Sequence, residues 1–239
     1  MKVKFLSSRD YIDPNGQHGD CILIDTGQEL FIYDCGSDEH AERVMSYIEA
    51  AGYLEAKFIL SHNDGDHFDG LPLLIDNGKV STVYTLLLLK YKEELLEIIN
   101  DGRVTDKSLT ETIADKYSNI YSLSGKVDLV DALALPELTS DIEIIGPEQN
   151  YALNAVAKFL DGREGDTIDG ETIHNAICFQ LKLKLDDGKY LLLSGDSAFA
   201  PLEDNLKTVA HIQLPHHGNS DIAQKVYNLK DTQHEVGIT

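Results

Sequence analysis

Residues 61–70, SHNDGDHFDG, place His62, Asp64, Asp66 and His67 within six positions, with Asp69 just beyond. Imidazole nitrogens and carboxylate oxygens at this density suit a divalent cation, and the mixed donor set favours zinc, manganese or iron over calcium. Three other places repeat the arrangement. His174 leads through HNA into the apolar run ICFQL, Asp196 follows YLLLS, and the pair His216–His217 follows HIQL. Strand ends held by a packed core suit metal donors, because a donor must be fixed to a fraction of an ångström. Any one of these residues alone reads as a core histidine or a capping aspartate. Four such places at successive strand ends read as one constellation.

The chemistry open to such a constellation is hydrolysis. Two cations about 3.5–4 Å apart polarise a phosphoryl or carbonyl oxygen and acidify a shared water; for zinc the pKa of that water falls to roughly 7. Asp66 is suited to orient the nucleophile, and a histidine not spent on metal can protonate the leaving group. The carboxylates of Asp64, Asp66 and Asp196 soften the preference for zinc, so manganese stays open.

The elements that must position these residues are legible as patterns. VKFL, CILIDT and LFIYD, separated by the turn-like DPNG and TGQE, read as antiparallel strands. Ala41, Val44, Met45, Ile48 and Ala51 recur at helical spacing up to a stop at Gly52. KFIL is a short buried strand, and LPLLI opens a helix behind the acidic loop. Residues 90–119 carry helical stripes, Tyr91, Leu95 and Ile98, then Leu109, Ile113 and Tyr117. DIEIIG reads as a strand, Leu153 to Leu160 as a helix, and ICFQLKLKL as an alternating strand turned by DDGK into YLLLSGD. Two sheets between helices, an αββα sandwich of the α/β class, follow from this order.

Composition narrows the partners. The 239 residues carry 20 Lys and Arg against 41 Asp and Glu, a formal net charge of −21. A protein that grips long nucleic acids neutralises phosphates with basic side chains, so this field disfavours a long polyanion while leaving a short oligonucleotide or small phosphodiester open. The three cysteines are scattered and flanked by apolar residues, which reads as a reducing compartment. No stretch is long and apolar enough for a membrane span or the core of a signal peptide. The expected location is the cytoplasm.

HNDGDH resembles the signature loop of the metallo-β-lactamase fold, with aspartate in place of its second histidine. GQHGDCILID, FIYDCG, SHNDGDHFDGL, HNAICFQL, YLLLSGD and LPHHGNS are similar, in order, to the domain attached to ComEC-type DNA-uptake proteins. The likeness covers most of the chain apart from an insertion at about 80–140. It implies one αββα domain over 1–239 and two divalent ions, zinc or manganese, with His62 and Asp64 on one and Asp66 and His67 on the other. Asp196 would bridge them, and His216 would bind while His217 stands beside the substrate, an order the two could exchange. His174 would complete the first ion's set, although competence-type domains often carry asparagine there. The resemblance also makes Asp20 and Asp34 structural. In that family HHG is followed by further strand and helix, whereas this sequence ends at HEVGIT; a truncation, an abbreviated fold, or a sheet completed by a partner chain or second copy would explain it.

The expected activity is phosphodiester hydrolysis, nuclease-like in character. Hydrolysis of a thioester, lactone or amide uses the same water, and a degenerate binding module completed by a partner chain is the reading from a different class. His18, His211 and His234 are expected to have no role in the site, and 161–171 is expected to be a solvated acidic loop.

Overall fold

Strands β1 (Lys2–Phe5), β2 (Cys21–Asp25) and β3 (Leu30–Cys35) open the chain and are followed by α1 (Asp38–Ala51), β4 (Ala56–Ile59), α2 (Gly65–Phe68), α3 (Leu71–Asp76) and β5 (Val80–Thr85). Next come α4 (Lys92–Ile99), α5 (Asp106–Lys116), α6 (Ser118–Tyr121), β6 (Asp128–Asp131), β7 (Glu137–Thr139), β8 (Ile142–Gly146) and α7 (Gln149–Leu160). The last elements are β9 (Thr167–Ile168), β10 (Glu171–Thr172), α8 (Ile173–Ala176), β11 (Gln180–Lys184), β12 (Tyr190–Leu193), α9 (Phe199–Leu206), β13 (His211–Ile212), α10 (Ser220–Asp231) and β14 (Gly237–Ile238). This computed structural model describes residues 1–6, 19–161, 167–168, 170–231 and 237–238. Two units divide the chain: residues 1–85 with 119–130, and residues 86–118 with 131–239.

The first unit is built on a six-stranded sheet in the order β1-β2-β3-β4-β5-β6. β1, β2 and β3 pair antiparallel, while β3, β4 and β5 pair parallel, so the sheet is mixed. Every residue of β2 and β3 is buried, the pattern of strands covered on both faces. Helix α1 begins where the Ser37 hydroxyl accepts the His40 N–H, carries Asp38 and Glu39 in its first turn, and ends at Gly52 in the left-handed region. It lays Ala41, Val44 and Ile48 inward. Asp25 ties the end of β2 to this helix and the turn after it, accepting the hydroxyls of Tyr47 at 2.6 Å and Tyr53 at 2.7 Å. Burial pushes the Asp25 carboxyl up, but the two hydroxyls and the Gly27 N–H outweigh it and hold the group below its usual range.

The second unit repeats the design on a sheet ordered β14-β13-β12-β11-β8-β7. Pairing is antiparallel from β7 through β12 and parallel from β12 to β14. Leu192 on β12, Leu202 and Leu206 on α9, Val209, Ile212 on β13, and Ile222 and Val226 on α10 close one apolar cluster. Mixed sheets flanked by helices are the α/β class expected from the sequence. No described helix is long and apolar enough to cross a membrane.

The two helical stripes of 90–119 fall on two helices: Asn100 takes a left-handed conformation (φ 46°) that ends α4, and a Thr105–Ser108 capping box starts α5. Two local expectations change. ICFQLKLKL pairs only from Gln180: the Thr172 hydroxyl accepts the Asn175 N–H, and the N–H groups of Ile177 and Cys178 bond back to His174 and Asn175, so a turn of helix consumes the start of the run. HIQL keeps only two strand residues, and β14 pairs beside them at the sheet's edge.

Candidate metal centre

In the first unit, the parallel strand β4 delivers Ser61 and His62 from its C-terminal end, and the four-residue helix α2 follows at once. Asp64 starts that turn, its carbonyl accepting the N–H groups of both His67 and Phe68 at 3.1 Å. His62 and His67 are thereby drawn together, with ring centroids 4.3 Å apart. Their side chains are 1% and 0% exposed, whereas those of Asp64 and Asp66 are each 40% exposed. The imidazoles form the floor and the carboxylates the rim.

Each ring has one nitrogen engaged away from the rim. His67 Nδ1 lies 2.9 Å from Asp34 Oδ2, and the other Asp34 oxygen accepts the Ser61 N–H at 2.7 Å. Asp34 is wholly buried and sits at φ 60°. A carboxylate at Nδ1 assigns the ring proton there and leaves Nε2 as the basic nitrogen; that Nε2 is 3.8 Å from Asp66 Oδ2. His62 Nδ1 meets the Ser61 hydroxyl at 3.0 Å, and its Nε2 is 3.4 Å from Asp64 Oδ2. His62 Nε2 is buried and has no hydrogen bond among the described residues.

The loop is seated by two glycines. The Asp66 carbonyl accepts the Asp20 N–H at 3.0 Å and packs so close that a Cβ on Gly36 would stand 1.8 Å from its oxygen, and one on Gly19 2.4 Å. Both positions must therefore lack a side chain, which explains the glycines of HGDC and DCGS. The local field is negative: burial, then the charges of Asp66 and Asp38, raise the Asp69 carboxyl above its usual range. Two buried basic nitrogens, two half-exposed carboxylates and a negative field fit a divalent cation.

The second unit presents a parallel device. Asp196, 5% exposed, follows β12 on a turn tied to the strand beyond: the Ser194 hydroxyl donates to the Gln213 carbonyl at 2.7 Å, and the His216 N–H to the Gly195 carbonyl at 3.1 Å. His216 (φ 51°) and His217 (φ 50°) are both left-handed. Consecutive non-glycine residues in that region carry strain of about 1–2 kcal/mol each. The result is that both rings face one carboxylate, with His216 Nε2 3.9 Å and His217 Nε2 3.8 Å from Asp196 Oδ2.

One of the candidates from the sequence stands differently from the rest. His174 turns its ring onto Phe159, centroids 4.5 Å apart, and toward Tyr117 at 6.1 Å, while its neighbour Asn175 reaches the buried Glu171 at 3.1 Å. Glu171 corrects the reading of 161–171 as solvated throughout: it is 4% exposed and stands 2.7 Å from His216 Nδ1. Asp34 does hold backbone, as expected, but it also holds His67. Sequence reasoning missed both of these histidine-supporting roles; the available signal was a lone acid adjoining an apolar strand (Asp34) and one opening a Thr-capped turn (Glu171). His211 is half-buried on β13, and His18, His234, 162–166 and 169 lie outside the described residues.

A family model described as the metallo-beta-lactamase superfamily matches residues 14–147. No curated protein matches the sequence. Among solved structures, the metallo-beta-lactamase fold protein YhfI from Bacillus subtilis is 14% identical with a TM-score of 0.49, covering 99% of this chain and 95% of that one. A putative metallo-beta-lactamase from Thermotoga maritima is 12% identical with a TM-score of 0.46, covering 95% and 91%. The short form of human tRNase Z is 13% identical with a TM-score of 0.45, covering 100% and 96%. Likeness at this level says nothing about activity.

Proposed function

The chain belongs to the metallo-beta-lactamase superfamily, and from that premise we propose that it is a metal-dependent hydrolase of phosphodiesters, akin to the ComEC-type domains its motifs resemble. The observation that carries the reading is the Asp34–His67 pair, buried and 2.9 Å apart, which directs one imidazole nitrogen to the Asp66 side of the loop. A buried aspartate spent on orienting a histidine is what a metal donor needs.

In this reading His62, Asp64, Asp66, His67, Asp196 and His216 would hold two zinc or manganese ions, with His174 as a further donor. Those ions, when bound, supply Lewis acidity and a nucleophile at neutral pH. Asp66 accepts a proton from the attacking water and orients it. His217, with its side chain 37% exposed, donates a proton to the leaving oxygen. Asp34 keeps the His67 proton on Nδ1 throughout. The net charge of −21 favours a small phosphodiester or short oligonucleotide over a long polyanion.

Elemental analysis of the purified chain and of His67→Ala tests this. About two equivalents of zinc or manganese, clearly reduced by the substitution, are expected. Absence of metal, with no uptake on adding either ion, would overturn the reading. With the metal known, cleavage of a chromogenic aryl phosphodiester but not of a thioester is expected; the reverse preference replaces the phosphodiester by an acyl substrate.

A further inference from the structure

Cys21 and Cys35 face each other across the antiparallel pairing of β2 and β3, in the sheet that delivers the first unit's donors. Both are buried, neither is in a disulfide, and the Cys21 thiol hydrogen-bonds that of Cys35. Facing positions of antiparallel strands lie about 4.5–5.5 Å apart between Cα atoms, inside the span of about 4.4–6.8 Å that a disulfide bridges. Their chain neighbours are the residues that seat the metal loop. Register shifts here: Cys21 faces Cys35 but Ile22 faces Tyr33, which leaves Asp34 as the extra residue of a bulge. That bulge aims Asp34 at His67 and the Ser61 N–H. Gly36 packs on the Asp66 carbonyl, which accepts the Asp20 N–H. At the loop's other end the Gly70 N–H donates to the Cys35 carbonyl at 2.8 Å, and a Cβ on Gly70 would stand 2.6 Å from Cys35 Sγ. In so close a packing, Cys35 cannot shift without displacing residues that hold the loop.

We propose that Cys21 and Cys35 are a peroxide-sensitive dithiol whose closure to a disulfide disarms the first unit's donors, an effect that rests on the proposed function. One sulfur, as thiolate, attacks hydrogen peroxide: an S–O bond forms, the O–O bond breaks, and the departing hydroxide takes up the thiol's proton as water. The other sulfur then displaces the sulfenic hydroxyl, forming the S–S bond and releasing a second water. The thiol pair loses two electrons and one peroxide gains them. Closure brings the sulfurs to about 2.05 Å, draws Cys35 Sγ off the Ser37 carbonyl to which it donates at 3.8 Å, and twists the bulge that carries Asp34. Thiols this buried are reached by a water-sized oxidant and not by a bulky disulfide. Burial, then the Cys35 thiol beside it, pushes the Cys21 thiol up. The thiolate is therefore scarce, and closure answers sustained peroxide.

The test exposes the full chain, as wild type and Cys21→Ala, to hydrogen peroxide and then to dithiothreitol. Peptide mass spectrometry reads the linkage, proton–nitrogen correlation of the His67 ring in the metal-free protein reads the loop, and competition with a chromophoric chelator reads zinc affinity. The expected wild-type product is lighter by two hydrogens, with Cys21 linked to Cys35 and Cys178 still open to alkylation. Its His67 signals shift and its zinc affinity falls about 10-fold or more; dithiothreitol restores both, and Cys21→Ala shows neither change. Absence of the link, a link that leaves His67 and zinc affinity unchanged, or the same loss in Cys21→Ala overturns the proposal. Should that variant fail to fold, Cys35→Ala serves as the control. A wild type that forms the link and shifts His67 yet takes up no zinc defeats the metal reading and leaves the coupling of the thiol pair to the loop standing.

Discussion

His67 in the first unit and His216 in the second each have a carboxylate at Nδ1, Asp34 at 2.9 Å and Glu171 at 2.7 Å, but the two pairs are supported in different ways. Asp34 and His67 are sealed, both side chains 0% exposed, and the aspartate also carries the Ser61 N–H on the strand that delivers the loop. His216 is 36% exposed, and its glutamate depends on two side-chain amides from neighbouring elements. The first contact is a hydrogen bond made by the sheet itself as it folds; the second is a charge contact at the sheet's rim, where His216 Nδ1 makes no hydrogen bond among the described residues. The difference teaches that the same local chemistry can be set rigidly or adjustably by the rank of the element behind it, and that the two should fail differently.

The largest effect is expected from Asp34→Ala, which buries His67 Nδ1 and the Ser61 N–H without an acceptor and should cost about 3–5 kcal/mol in a urea titration. Equal losses for Asp34→Ala and Glu171→Ala would break the contrast, since the rim pair should cost only about 1–2 kcal/mol. Asp34→Asn sharpens it further. Asparagine tolerates the left-handed backbone at φ 60° and its oxygen can still accept Ser61 N–H, but its amide would face Nδ1 as a donor and drive the ring proton to Nε2. That variant should fold and bind zinc about 10–100-fold more weakly; unchanged affinity would show that Asp34 serves stability alone.

Gly36→Ala attacks the seat of the loop rather than its histidine. The new Cβ would meet the Asp66 carbonyl at 1.8 Å, so a loss of about 2–3 kcal/mol is expected, with the metal affinity of the first unit's donors falling alongside. In the second unit, Ser194→Ala removes the hydroxyl bond to the Gln213 carbonyl and should cost about 1 kcal/mol in thermal unfolding.

The smallest effect is a pH dependence from one buried histidine of the first unit, His40. Burial, then the charge of Arg43, hold the His40 imidazolium pKa below its ordinary value, against the opposing charges of Glu39 and Asp20. The folded state then binds fewer protons there than the unfolded chain, so this contribution is full above about pH 6.5 and is lost as pH falls toward the depressed value. Denaturation midpoints should drop below pH 6.5 in wild type and do so less steeply in His40→Leu; identical slopes would remove His40 from the account.

The amino-acid sequence by itself determined which candidate donors are grouped locally, because covalent neighbours on a strand end cannot avoid one another: His62, Asp64, Asp66 and His67 share one turn, and Asp196 and His216–His217 each follow a short apolar run. It also determined the mixed α/β order, through strand and helix periodicities that are local. It did not show that Thr172 would start a helical turn ahead of β11, since that is a contest between neighbouring hydrogen bonds. Only the tertiary structure decided which acids stand behind the histidines. Asp34 and His67 are 33 positions apart, Glu171 and His216 farther still, and no spacing rule links them. Strand pairing and helix packing bring them within hydrogen-bond reach, and a ring nitrogen takes its orientation from whatever that packing sets beside it.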